Sequence, residues 1–252
     1  MDKNIKAKTF GTLSKDLFFN KRVSISFDTI QSSDDSDLNV LVQIEPPSII
    51  NTTQAIINNQ SKFDVIFAWD NEVLNSCSNS VLFPFGSCWI NTEDQNIHKK
   101  TKEVSIIASI KRQTIGHNLR HDIIKSNFMN LDLFGNGYNP IENKITALKD
   151  YRFSIIIENE KVDNWFTEKI IDCLMTGTIP VYWGCPNIGD YFDTRGFVII
   201  NSIDELISKK NMLNETTYSE MLPYIKINFE LAKKYTDFWV RIEKEINKKL
   251  TL

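Results

Sequence analysis

Residues 151–192 read YRFSIIIENEKVDNWFTEKIIDCLMTGTIPVYWGCPNIGDYF, and this stretch decides the fold. Phe153 to Ile157 is apolar but for Ser154, which predicts a strand buried on both faces, as in a parallel sheet. It ends in Glu158-Asn159, and a polar loop follows. A helix is expected from Thr167 to Thr176, with Ile170, Ile171 and Leu174 facing inward and Gly177 as its C-terminal stop. A second buried strand runs from Ile179 to Trp183, with Pro180 near its start and Gly184 at its end. Strand, helix and strand in this order predict a right-handed βαβ unit.

The rest of the chain repeats the alternation. Val23 to Phe27, Asn39 to Ile44 and Asp64 to Ala68 read as strands in the first part; Val104 to Ala108, Leu131 to Phe134 and Phe197 to Ile200 read as strands in the second. His117 to Phe128 reads as a helix, with Leu119, Ile123 and either Ile124 or Phe128 on one face. The polar run Asn91 to Lys102 is expected to link the two halves. Tyr224 to Leu250 reads as one or two amphipathic helices that become Lys-rich.

Composition sets limits. The chain has 252 residues, enough for one large domain or two smaller ones, with 42% apolar and 24% charged residues. A net charge of −3 argues against a nucleic-acid partner, whose footprint is basic. Cys77, Cys88, Cys173 and Cys185 form no C-x-x-C pair, so reduced thiols and a cytoplasmic setting are expected. The first thirty residues show no signal-peptide pattern, and no run reaches the roughly 18 apolar residues of a membrane span. The sequons at Asn51 and Asn214 are then accidental. Lys233, Lys234, Lys244, Lys248 and Lys249, interleaved with Phe229, Tyr235, Phe238 and Trp239, could make a weak peripheral membrane contact; a packed helix with a solvated Lys face is the preferred reading.

Polar groups gather where strands end and a helix begins, the place at which open α/β sheets bind ligands. Free N–H groups and the positive end of the dipole suit a phosphate there. Lys169 in the first turn is unfavourable for the helix itself, a cost that a bound anion would offset. Glu168 can accept hydrogen bonds from the vicinal hydroxyls of a ribose. Together they suggest a nucleoside diphosphate. From pattern alone, a solvated first turn with Thr167 as a plain N-cap is an equal alternative.

The order Tyr151-Arg152-Phe153, Glu158-Asn159, Trp165-Phe166-Thr167-Glu168-Lys169 and Ile179-Pro180-Val181-Tyr182-Trp183-Gly184 resembles the signature of family 10 glycosyltransferases, the α-1,3/1,4-fucosyltransferases. Spacing and order hold over about forty residues, with Trp165 standing where the family often has Tyr. The run VSIIASIKRQTIGHNLRHDII, residues 104–124, resembles the family's strand, loop and Arg-bearing helix, and LDLFGNG at 131–137 resembles its V-D-x-Y-G-x-G. In the more divergent first half, Gln43-Ile44-Glu45-Pro46-Pro47-Ser48 resembles its G-E-N segment, Phe63 to Asp70 its F-D-Y-A-I-G-F-D run, and Phe83-Pro84-Phe85 its M-P-L/Y segment.

The resemblance implies a GT-B fold, two Rossmann-like domains facing across a cleft. The acceptor-side domain is expected at 1–100, the donor domain at 101–225, and a C-terminal helix crossing back at 226–252. It implies an inverting transfer of fucose from GDP-fucose to a glycan hydroxyl. Glu45 would be the base, with Asp70 and Glu72 as fallbacks. Arg120 and Lys169 would hold the diphosphate and Glu168 the ribose, while Glu158, Asn159, Trp165 and Thr167 complete the substrate-binding set. No cofactor and no metal are expected. Asp35-Ser36-Asp37 matches D-x-D but reads as a solvated turn, and His117 with His121 lacks a third ligand. The rival readings are another nucleotide-sugar donor on the same scaffold, and a non-catalytic nucleotide- or carbohydrate-binding relic. A Rossmann dehydrogenase is set aside for want of G-x-G-x-x-G.

Overall fold

The computed structural model describes residues 5–11 and 13–251. The chain forms two compact units: Met1–Phe85 with Asp163–Trp165 and Phe238–Leu252, and Gly86–Val162 with Phe166–Asp237.

The first unit opens with a short antiparallel pair, β1 (Ile5–Lys6) and β3 (Phe18–Phe19). Around it stand β2 (Lys8–Gly11), β4 (Val23–Phe27), β5 (Leu38–Val42), β6 (Val65–Ala68) and β7 (Ser80–Leu82). The last five make one sheet in the order β2-β4-β5-β6-β7, parallel throughout. Every residue of β4 and β6 is buried, Ser24 and Ser26 of β4 included. Helices α1 (Thr53–Asn58) and α2 (Asn71–Ser76) supply crossovers, α2 being capped by Asp70, whose carboxylate accepts from Glu72 N.

The second unit holds β8 (Lys102–Ile107), β9 (Asp132–Phe134), β10 (Tyr151–Ile157), β11 (Ile179–Trp183) and β12 (Val198–Ile199), again all parallel, in the order β12-β11-β10-β8-β9. Its helices are α3 (Ile115–Ser126), α4 (Glu168–Leu174), α5 (Ile203–Ser208) and α6 (Glu215–Ala232). All seven residues of central β10 are buried. Gly177 takes φ +68° just past α4, the left-handed stop that the sequence suggests. The chain then returns to the first unit as α7 (Phe238–Leu250). Its i, i+4 series Phe238, Ile242, Ile246 and Leu250 lies in the same core as Phe27, Val42 and Phe83, while Lys244, Lys248 and Lys249 are exposed. Burying each such side chain contributes about 1.5–3 kcal/mol, so the apolar face of α7 is already occupied. Among the described residues, no helix is long and apolar enough to cross a membrane.

The division falls at 85/86 and 237/238, not at 100 and 225. The polar run 91–102 is built into the second unit: His98 N donates to Thr176 O at 3.4 Å. Lys100 Nζ is buried among Leu148 O, Lys149 O, Thr176 O and Thr178 Oγ1 at 2.8–3.3 Å. Three residues from the middle of the chain, Asp163–Trp165, belong to the first unit.

Candidate functional site

In the second unit, β10 ends at Ile157 and the next side chain, Glu158, is fully buried. Its Oε1 accepts from Thr167 N at 2.9 Å, and its Oε2 from Thr167 Oγ1 at 2.8 Å and Lys169 Nζ at 3.3 Å. A carboxylate from the strand end thus meets the start of α4. This internal anion compensates Lys169, whose place in the first turn is otherwise unfavourable. Lys169 Nζ also donates to Thr167 Oγ1 at 2.9 Å and lies 3.7 Å from Glu168.

Arg120 sits on α3 and is buried. Gly116 lets that helix approach closely: a Cβ there would stand 1.7 Å from Glu158 O, and Gly116 N donates to Asn159 O at 3.1 Å. The Arg120 Nε donates to Ile157 O at 3.1 Å; Nη2 bonds the same carbonyl and donates to Asn159 Oδ1 at 3.2 Å. These contacts orient the guanidinium, and among the described residues Nη1 makes no hydrogen bond. Burial lowers the Arg120 pKa, while Glu158 and Glu168 favour its charge.

Glu168 is held by a residue the sequence did not mark. Lys144 Nζ donates to Glu168 Oε1 at 3.2 Å and to Asp172 Oδ2 at 2.8 Å, and stands 4.0 Å over the exposed Trp89 ring. Trp89 N in turn donates to Asp172 Oδ1 at 2.6 Å. Burial alone would raise the Glu168 pKa, but Lys169 and Lys144 bring it down to about 2. The available signal was the i, i+4 spacing of Glu168 and Asp172, which puts two carboxylates on one helix face and calls for a cation. His117 joins the cluster: Thr114 Oγ1 meets its Nδ1 at 2.9 Å, and burial, followed by Arg120, Lys111 and Lys169, lowers its pKa to about 4. It is a neutral ring beside three cations.

The structure therefore brings Arg120, Glu158, Asn159, Thr167, Glu168 and Lys169 together. Glu158 and Thr167 bond Lys169, and Asn159 Oδ1 accepts from Arg120. Trp165 is buried in the first unit, and its indole Nε1 donates to Ile44 O at 2.8 Å. A ring so enclosed packs within that unit and ties the end of β5 to residues 163–165. Glu45 is half-buried just beyond β5. The carboxylates of Asp35 and Asp37 pair with Lys8 at 3.6 Å and Arg22 at 2.7 Å. Asp70 caps α2 and accepts from Thr53 Oγ1 at 2.5 Å, while Glu72 accepts from Gln54 Nε2 at 2.5 Å. Among the described residues, no group of three or more His, Cys, Asp or Glu side chains is placed to hold a metal.

Comparison with known proteins places the fold and the family. The model of glycosyltransferase family 10 (fucosyltransferase), C-terminal part, matches residues 97–238. An α-(1,3)-fucosyltransferase FucT of Helicobacter pylori is 35% identical over 104 residues, 39% of this chain and 22% of that protein. An α-(1,4)-fucosyltransferase of Arabidopsis thaliana is 38% identical over 79 residues, 29% of this chain and 20% of its own. The aligned stretch thus spans about a fifth of these curated relatives' length. Among solved structures, an α1,3-fucosyltransferase with GDP-fucose superposes with TM-score 0.56 at 18% identity, over 85% of this chain and 80% of that one. TarM of S. aureus gives TM-score 0.56 at 14% identity, over 89% and 55%. The fold is α/β of the GT-B type, and the chain belongs to glycosyltransferase family 10, the fucosyltransferases.

Proposed function

We propose that this chain transfers fucose from GDP-fucose to a glycan hydroxyl with inversion and without a metal. The observation that carries the reading is the cation pair Arg120 and Lys169, buried or half-buried where β10 ends, with Glu168 beside it. The family supports fucose as the sugar. In the reaction, Glu45 takes the proton of the acceptor hydroxyl, whose oxygen attacks C1 of fucose from the face opposite GDP. The C1–O bond breaks and its electron pair leaves on the β-phosphate. Arg120, through Nη1, and Lys169, through its remaining N–H, stabilise that charge in place of a metal, and Glu168 holds the ribose diol. Fixed charges of this kind act where charge develops, and losing one reduces turnover by about 10²–10³-fold.

The test is thermal stabilisation by GDP, GDP-fucose, GDP-mannose, UDP-glucose and UDP-galactose, each with and without Mg²⁺. A ligand that binds only the folded state raises Tm. The reading expects a shift with GDP and GDP-fucose that Mg²⁺ leaves unchanged. A shift with uridine nucleotides alone would discard fucose, and no shift with any of them would overturn the reading. Glu45→Ala should abolish turnover while keeping the GDP shift.

A further inference from the structure

The peptide that carries Glu45 is held from three directions. Strand β4 ends at Phe27, and Asp28 N continues its pairing by donating to Val42 O at 3.1 Å. Asp28 then takes φ +52°, a left-handed conformation unfavourable for a residue with a Cβ and tolerated best by Asn and Asp. That turn accompanies a buried carboxylate at the end of β5, where Oδ1 accepts from Ile44 N at 2.8 Å and Oδ2 from Glu45 N at 3.2 Å. The opposite edge of the same peptide, Ile44 O, accepts from the Trp165 indole at 2.8 Å. The loop delivering Trp165 is itself pinned: Asn164, at φ +59°, donates through Nδ2 to Trp69 O at 3.1 Å and Asn71 Oδ1 at 2.9 Å. Beyond Glu45, Pro46-Pro47 restricts the backbone on the far side.

We propose that Asp28 and Trp165 are positioning residues: together they fix the plane of the Ile44–Glu45 peptide and so aim the Glu45 carboxylate at the hydroxyl it deprotonates. This rests on Glu45 being the base. A base needs its geometry held within about 0.5 Å, and a misplacement of about 1 Å can reduce turnover 10²-fold. With its N–H and C=O both bonded, this peptide cannot rotate without breaking a hydrogen bond.

The experiment follows GDP release from GDP-fucose by the full chain, with water as the probe acceptor, alongside the GDP-induced Tm shift. Trp165→Phe keeps a buried ring and removes only the N–H. Asp28→Asn keeps the shape but offers one acceptor oxygen for two N–H groups. Each should lower kcat about 10-fold or more, with KM for GDP-fucose and the GDP shift unchanged. Glu45→Gln separates the two ideas. If it retains turnover, the base reading fails and this proposal falls with it. If it is inactive while Trp165→Phe and Asp28→Asn, both folded, turn over as wild type, positioning alone is overturned. A variant that loses the GDP shift together with kcat also counts against positioning, because the damage then reaches the donor unit.

Discussion

Each unit places a buried carboxylate immediately beyond the end of a fully buried strand: Asp28 after β4, Glu158 after β10. Glu158 meets a cation and a hydroxyl as well as a backbone N–H. Asp28 has two backbone N–H donors, and burial, the largest influence, pushes its pKa up to about 6. Two sites of similar plan thus differ in electrostatics. In the second unit the anion is a counter-charge that keeps Lys169 in place. In the first it is a hydrogen-bond acceptor that shapes a backbone, at the expense of an uncompensated charge.

The comparison breaks most visibly through Glu158→Ala. Removing one partner of a buried ion pair costs about 3–5 kcal/mol, so Tm should fall steeply and the GDP shift should vanish; a Tm near wild type would show that Lys169 does not depend on this anion. Next comes the pH response, whose sign should be opposite in the two units. Asp28 is raised from 3.8 to about 6, so its contribution is complete below about pH 4 and is lost as pH rises through about 6. The change is about 3 kcal/mol, and Asp28→Asn should abolish that slope. Glu168 is lowered from 4.5 to about 2, so it stabilises above about pH 4.5 and ceases to as pH falls through about 2, again by about 3 kcal/mol. Unfolding free energies across pH 2–7 for Asp28→Asn and Glu168→Gln, each minus wild type, should slope in opposite directions. Parallel slopes would end the contrast. The smallest effect sharpens it: Trp89→Leu removes the ring under Lys144 and should cost about 0.5–1 kcal/mol, with the ion pairs intact.

The second unit was the more legible in the sequence, for a physical reason. Its central strands are mostly apolar, and its site is local: Glu158, Thr167, Glu168 and Lys169 lie within twelve consecutive residues, where chain order nearly dictates proximity. The first unit hides its arrangement in long separations. Asp28 reaches Ile44 across sixteen residues, and Trp165 reaches it across 121. The string Phe27-Asp28-Thr29 does not disclose a left-handed turn. Likewise, the family resemblance put Trp165 in the substrate-binding set, and no short-range pattern discloses that residues 163–165 pack in the first unit. Lys144 was obscured because it lies 24 residues before its partner Glu168, at the start of a single short 3-10 turn. The linker expected at 91–102 looked solvated by composition, yet Lys100 satisfies its buried ammonium with carbonyls that no hydropathy pattern reports.

The excursion of Asp163–Trp165 also bears on how such chains can be recombined. A segment cut at 97–238, the span shared with the family, carries Trp165 away from Ile44 and strands its indole N–H. Shuffling that segment between relatives therefore transplants one half of a tether whose other half stays behind. The unit that packs together in this protein is therefore discontinuous in the chain.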